Sequence, residues 1–381
     1  MESSNNILRG HSQAPDAREA ALEFHAAVFQ PDLALVMFFC SSEYDLDELA
    51  SELSRLFAGV QVVGCTTAGE IGPAGCLDHS IAGASFSARS FTVANGLLSN
   101  LGEFAIESAH SLEQDLLQQL ENLRTDIEPS NTFALLLIDG LSMREEIVTA
   151  ALQNALGEIP LVGGSAGDGL EFGHTYVYAN GRFHEDSAVV ILVSTPLAFT
   201  LFQTQHFVPV GNRVVVTAAD AEQRIVQEID GWPAAEYYAE LVGSQEDSLS
   251  PEGFADDPMV VVIDGTNYVR SIQRANPDGT LKFYCAIDEG MVLRTARGGD
   301  LVANLEQAFT DIRTTIGQPQ LVIAFDCILR KLEIGRVECG ESVESVFKKN
   351  NVVGFNSYGE QYRGVHINQT LTGIAIGELV S

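Results

Sequence analysis

The sequence predicts an α/β protein with mixed sheets covered by helical layers, arranged as two domains sharing an interface. Strand-sized apolar runs such as 33–40 and 188–193 alternate with amphipathic stretches, the pattern of helices laid over sheets. Hairpin-type turn signals, Asn180-Gly181 above all, interrupt that alternation, so parallel and antiparallel neighbours are both expected. With 381 residues the chain exceeds one typical core. Two domains follow, with the join in a polar stretch between about 210 and 255.

In chain order, the segment 16–29 reads as an amphipathic helix with Ala20, Phe24 and Val28 on one face. A buried strand over 33–39 follows. Ser41 and Ser42 are placed to cap a helix over 45–57, whose acidic first turn suits the helix dipole. A strand over 61–64 delivers a first glycine-rich phrase. The runs 81–87 and 91–98 are expected to pair as antiparallel neighbours. A helix over 111–123, a strand over 133–138 and a helix over 143–156 lead to a second phrase. The runs 175–179 and 187–193 then flank Asn180-Gly181 as a hairpin. The stretch 220–257 is acidic, with Arg224 as its one basic residue, and reads as a solvated face ending in an exposed loop over 243–258. Beyond it come strands over 259–263, 268–272 and 281–285, the last two around Asn276-Pro277-Asp278-Gly279. A helix over 300–316 and strands over 321–325, 352–355 and 370–376 complete the chain.

Composition narrows the function classes. Apolar residues make up 46% of the chain, ample for packed cores. The net charge of −31 opposes binding to nucleic acid and to anionic membranes. The apolar runs are too short to span a bilayer, and residues 1–13 lack a signal-peptide pattern, so no membrane insertion and a cytoplasmic location are expected. The six cysteines, Cys40, Cys65, Cys76, Cys285, Cys327 and Cys339, form no CxxC pair. They read as reduced, mostly buried thiols.

Three segments look like variations on one phrase: Val63-Gly64-Cys65-Thr66-Thr67-Ala68-Gly69-Glu70, Val162-Gly163-Gly164-Ser165-Ala166-Gly167-Asp168, and Val353-Gly354-Phe355-Asn356-Ser357-Tyr358-Gly359-Glu360. Each leaves an apolar run, turns on glycine, offers small polar side chains and ends in a carboxylate. Glycine lets backbone approach a ligand closely, and Ser, Thr and Asn present short hydrogen-bonding groups. The phrases are expected to line one cleft, with Gly64, Thr66, Thr67, Glu70, Gly164, Ser165, Asp168 and Glu360 as ligand-binding candidates. Glu70, Asp168 and Glu360 read equally well as turn-closing carboxylates. The second phrase also matches the GxSxG nucleophile elbow. The helix that motif needs after the serine is absent from the pattern, so Ser165 reads as structural. No P-loop, GxGxxG-helix or HExxH pattern occurs. His366 stands out in Gly364-Val365-His366-Ile367-Asn368-Gln369-Thr370-Leu371-Thr372, where Asn368 or Gln369 could fix the tautomer of a ligating imidazole.

The blocks Phe325-Asp326-Cys327 with Arg330, Val353-Gly354-Phe355 through Tyr358-Gly359-Glu360, and His366 through Thr372 resemble, in order and content, the FIST C-terminal domain. Residues 62–70 and 161–168 resemble the glycine loops of the FIST N-terminal domain. The resemblance runs from about residue 30 to the end and implies a FIST N domain over 30–225 and a FIST C domain over 226–377. FIST modules are regarded as intracellular sensory domains for small ligands such as amino acids. A stand-alone subset of similar length, the NosP-type nitric-oxide-sensing haem proteins, signals to a partner histidine kinase.

The resemblance implies a sensor rather than an enzyme, with two ligand readings and a hydrolase left open. In the first, haem b is held by His366 as the metal ligand, with Gly354, Phe355, Tyr358 and Asn368 around it and the aromatic runs 199–207 and 355–362 as its slot. In the second, an amino acid or other small polar ligand is held without haem, its ammonium on Glu70 or Glu360 and its carboxylate on Arg363. The third is a hydrolase using Ser165 or Cys65. The output partner is expected to be a histidine kinase, and a homo-oligomer is also left open.

Overall fold

The computed structural model describes residues 6–245, 249–263 and 266–379, and the architecture is α/β with mixed sheets. The body consists of three copies of one chain path. The first copy runs β1 (Ile7–Ser12), α1 (Ala17–Val28), β2 (Leu33–Ser41), α2 (Leu46–Leu56), β3 (Gln61–Thr67), a hairpin of β4 (Glu70–Gly72) and β5 (Gly75–Leu77), and β6 (Ile81–Ser87). The second runs β7 (Thr92–Ser99), α3 (Ile106–Leu123), β8 (Thr132–Ile138), α4 (Glu145–Leu156), β9 (Leu161–Ser165), a hairpin of β10 (Val177–Ala179) and β11 (Arg182–His184), and β12 (Ser187–Ser194). The third begins with β13 (Leu197–Thr204). An additional unit then intervenes.

That unit comprises β14 (Phe207–Pro209), β15 (Val214–Asp220), β16 (Ile225–Ile229), β17 (Trp232–Pro233), α5 (Ala234–Val242), α6 (Pro251–Asp256), β18 (Met259–Ile263), β19 (Thr266–Arg270), β20 (Ile272–Ala275), β21 (Leu281–Phe283) and β22 (Val292–Gly298). The third copy resumes with α7 (Leu301–Ile316), β23 (Leu321–Cys327), α8 (Ile328–Arg336), α9 (Gly340–Lys349), β24 (Val352–Ser357), the hairpin β25 (Glu360–Tyr362) and β26 (Val365–Ile367), and β27 (Leu371–Leu379). The division expected after residue 225 falls at the start of β16, inside the additional unit.

The three body sheets have one topology. Their orders are β1-β6-β2-β3-β10-β11, β7-β12-β8-β9-β25-β26 and β13-β27-β23-β24-β4-β5. In each, two central strands run parallel and the remaining pairs are antiparallel. The last two strands always come from another copy. The first copy's hairpin completes the third sheet, the second's completes the first, and the third's completes the second. The inner faces meet in one apolar cluster that includes Met37, Phe39, Leu135, Leu137, Ile323, Phe325 and Phe355.

Local chemistry accounts for the elements. Asp16 and Asp300 cap α1 and α7 by accepting from the amides of Glu19 and Ala303. Three equivalent glycines, Gly64, Gly163 and Gly354, lie where a Cβ would overlap the carbonyl oxygens of Phe38, Leu136 and Ala324 on the neighbouring parallel strand. The shared Gly therefore reflects close strand approach.

Several local expectations are corrected. Asp45, not Ser41 or Ser42, caps α2, accepting from the Glu48 amide at 3.0 Å. The strands over 81–87 and 91–98 do not pair. β6 lies between β1 and β2, and β7 pairs with β12. At Asn180-Gly181 the partner of β10 is β11, and the run at 187–193 belongs to a different sheet. In each case the turn was legible but the partner was not, because strand exchange between copies is a non-local choice. The acidic stretch 220–257 includes residues outside the described ones, and its lone basic residue, Arg224, is buried.

Candidate functional site

The three glycine phrases converge at one end of the body, where β3, β9 and β24 hand over to the exchanged hairpins. Their backbones bond to one another in a ring. The Ala68 amide donates to Asn356 O at 3.0 Å and the Asn356 amide to Gly69 O at 2.7 Å. The Gly167 amide donates to Thr66 O at 3.0 Å, and the Ser165 amide donates to Gly359 O at 2.8 Å. The common location expected from sequence is therefore real.

Within the ring, equivalent positions do equivalent work. Thr67 donates to Glu70 Oε1 at 2.5 Å, while the Ser80 hydroxyl donates to Oε2 at 2.6 Å. Ser357 donates to Glu360 Oε1 at 2.6 Å, while the Thr370 hydroxyl donates to Oε2 at 2.6 Å. Burial pushes these carboxyls up to about 7 and about 8 against the pull of those hydrogen bonds. In the second copy the carboxylate comes from a different position: Asp139, just past β8, accepts from the Leu141 and Asp186 amides at 2.9 and 2.6 Å. Asp168 closes the loop after the second phrase, accepting from the amides of Phe172, Gly173 and His174 at 2.7–2.9 Å. The turn-closing reading of these carboxylates describes their bonding.

Several candidates face the core rather than the cleft. Thr66 Oγ1 accepts from the Tyr176 amide at 3.0 Å and staples the second hairpin. Gly164 lies against the rings of Phe325 and Phe355. Phe355 is packed on Phe39 and Phe325, with centroids 4.8 and 5.5 Å away. Ser165 is fully buried and its Oγ accepts from Gln361 Nε2 at 2.8 Å, so no base addresses it. Burial raises the Cys65 thiol well above its usual range, leaving it un-ionised. Arg363 does not reach the phrases. It is exposed at the β25–β26 turn with φ 47° and lies 5.8 Å from the Tyr362 ring centroid.

His366 is also buried. Its Nδ1 lies 3.1 Å from Gln361 Nε2, so Gln361 rather than Asn368 or Gln369 orients the ring. Its Nε2 has no hydrogen-bond partner among the described residues and faces Gly359, whose Cα leaves no room for a Cβ there. Burial, helped by Arg224 and Arg270 and opposed by Glu146, lowers its pKa to about 4. Asn368 donates to Tyr358 O at 3.3 Å. No group of three or more His, Cys, Asp or Glu side chains among the described residues is placed to hold a metal.

A cavity of about 200 Å³ lies between the first phrase, the loop after the second, and α8. Its polar lining includes Thr67, Glu70, Asp78, Asp168 and Lys331. Lys331 Nζ donates to Ala68 O at 2.8 Å and pairs with Asp78. Sequence reasoning missed Lys331, although it is one of four lysines in a strongly acidic chain. It also missed Asp139 and Gln361. Alignment of the three copies, rather than of the phrases alone, marks Asp139, since Ser41, Asp139 and Cys327 each end their strand with an amide donating to Ser80, Ser187 and Thr370 O.

The FIST N domain family matches residues 34–232, and the FIST C domain family matches residues 234–363. One similar solved structure is titled "Cyanuric acid hydrolase: evolutionary innovation by structural concatenation". It covers 97% of this chain and 98% of its own at 11% identity and a TM-score of 0.37, too distant to bear on activity. No curated protein matches the chain. FIST domains are sensory, ligand-binding signalling modules, and among the described residues no helix is long and apolar enough to cross a membrane. The domain matches cover most of the described chain, and the protein belongs to the FIST family, with its N and C domains in succession.

Proposed function

We propose that this protein is a small-ligand sensor whose ligand, an amino acid or a molecule of similar size and polarity, binds in the cavity beside Glu70, Asp168 and Lys331. The carrying observation is that cavity: about 200 Å³, at the junction of the glycine phrases, with a lysine ammonium and carboxylates on its walls. A zwitterion meets both signs there. Lys331 takes the carboxylate-binding role first assigned to Arg363. A ligand bridging the first phrase and α8 would favour one arrangement of the two, which is how binding free energy reaches a partner. A histidine kinase is the output partner this reading expects.

The geometry supports this over haem b and nitric oxide sensing. Haem at His366 does not fit the residues present. The ring is buried, its free nitrogen abuts Gly359, and Phe202, Phe207 and Phe355 of the runs meant to form a slot are buried in the core. Phe199 packs against Phe133 and Phe202 against Phe309, their rings tilted to one another. The test is calorimetry with the twenty amino acids on wild type and Lys331→Gln, alongside an absorption spectrum after haem addition. Binding of at least one amino acid, weakened about tenfold or more in Lys331→Gln, is expected. A Soret band that shifts in His366→Ala, with no amino-acid binding, would overturn the reading.

A further inference from the structure

A second cavity, of about 130 Å³, lies on the other side of the 168–173 loop. Its walls come from three places: the loop before α4 (Leu141, Met143), the second-phrase loop with the third phrase (Phe172, Tyr358), and the additional unit (Lys282, Tyr284). Pockets at such junctions, mostly apolar with a few convergent polar groups, are where ligands bind. The aromatic wall is ordered. Phe172 stacks on Tyr358 at 4.6 Å and 24°, and Tyr284 lies 6.2 Å from Phe172. Three lining residues, Met143, Phe172 and Arg224, have φ of 55°, 51° and 55°. Bulky side chains rarely adopt that backbone region, and such residues gather at ligand sites.

Two cations, Arg224 and Lys282, and one carboxylate, Glu145, line this cavity. Arg224 is satisfied by Glu145 and Glu146, each at 2.7 Å, and by the Tyr284 carbonyl. Lys282 is not satisfied in that way. Its ammonium donates to the Gln223 carbonyl, and no carboxylate among the described residues pairs with it. An ammonium has three donors. Burial, with Arg224 and Arg274 nearby and Asp220 opposing, lowers its pKa.

We propose that this cavity is a second ligand site, specific for a small aromatic anion, with Phe172, Tyr284 and Tyr358 as its apolar wall and Lys282 as its charge partner. The volume of about 130 Å³ sets the upper limit at one ring, since an apolar cavity of about 150 Å³ holds benzene. A single ring with a carboxylate at the mouth fits, and a nucleotide does not. The site is coupled to the first cavity through one contact set. The Tyr358 hydroxyl meets the Asp168 carboxylate, the Asp168 amide donates to that hydroxyl at 3.2 Å, and Asp168 lines the first cavity.

The probe is benzoate, with acetate and benzylamine as controls, measured by calorimetry and thermal shift on the full chain. Benzoate is expected to bind and raise Tm, while acetate and benzylamine do neither. Lys282→Gln should weaken benzoate by about tenfold or more, Lys282→Arg should restore most of it, and Lys331→Gln should leave it unchanged. No benzoate binding at about 10 mM would overturn the proposal, as would equal binding by Lys282→Gln or by benzylamine. Loss in Lys331→Gln with retention in Lys282→Gln would place benzoate in the first cavity and overturn this proposal while sparing the first.

Discussion

Glu360 is fully buried with both carboxyl oxygens engaged, and burial keeps its proton on until about pH 8, against 4.5 for the free side chain. Between those values the native state holds a proton that the unfolded chain has released. Stability therefore falls as pH rises through that window, and is fully present only below the lower value. Glu360→Gln removes this slope. Comparing urea midpoints at about pH 5 and about pH 8 should show wild type losing stability relative to the variant, by an amount of the order of a few kcal/mol. Parallel slopes in the two proteins would refute the assignment. Ser165 gives a second expectation at this scale. Ser165→Ala leaves Gln361 Nε2 without its 2.8 Å acceptor and should cost about 1–3 kcal/mol. In an esterase screen the substitution should change nothing. The presence of carboxylates at Glu70, Asp168 and Glu360 was legible in sequence. Their turn-closing role was one of two readings; their partners were not legible, because Ser80 and Thr370 lie just ahead of β6 and β27 and Tyr358 lies in another phrase.

At the scale of elements, the β15–β16 turn docks on α4 through Arg224, whose guanidinium reaches Glu145 and Glu146 from a residue with φ 55°. Burial pushes Glu145 up to about 7 despite the arginine beside it. Removing the cation leaves the buried Glu145 carboxylate beside Glu146 without its partner, which typically costs about 3–5 kcal/mol. Arg224→Met should therefore lower the urea midpoint sharply, and the triple variant with Glu145→Gln and Glu146→Gln should recover much of the loss. Equal stability of single and triple variants would show that the pair does not hold the turn. From sequence, Arg224 was one basic residue in an acidic run. The run predicts solvent, and only the packing of the additional unit against α4 shows why the cation is there.

At the scale of the molecule, every body sheet takes its last two strands from another copy, so no copy is complete alone. β4 pairs with β24, and β9 pairs with β25. A fragment of residues 1–232 keeps the whole FIST N match yet lacks both partners. It should show no cooperative thermal transition, whereas the full chain should unfold with coincident transitions by far-ultraviolet circular dichroism and fluorescence. A fragment that melts cooperatively would mean that the exchanged hairpins contribute little. Phe355 tests the shared core more gently. It touches Phe39 of the first copy and Phe325 of the third, and Phe355→Ala should cost about 3–5 kcal/mol.

The sequence by itself determined the α/β class, most helices and strands, the places where the chain turns, and the kinship of three glycine phrases. Those properties are local, set by apolar periodicity, cap residues and turn chemistry over a few positions. The tertiary structure decided which strand receives each hairpin, so it alone reveals three equivalent copies behind the three phrases. It also decided which polar residues face a cavity. Lys331 and Asp168 line one, whereas Ser165, Thr66 and His366 spend their polar atoms inside the protein or lie shut within it. Pairing register and side-chain exposure depend on residues hundreds of positions apart, and no window of neighbouring residues contains that information.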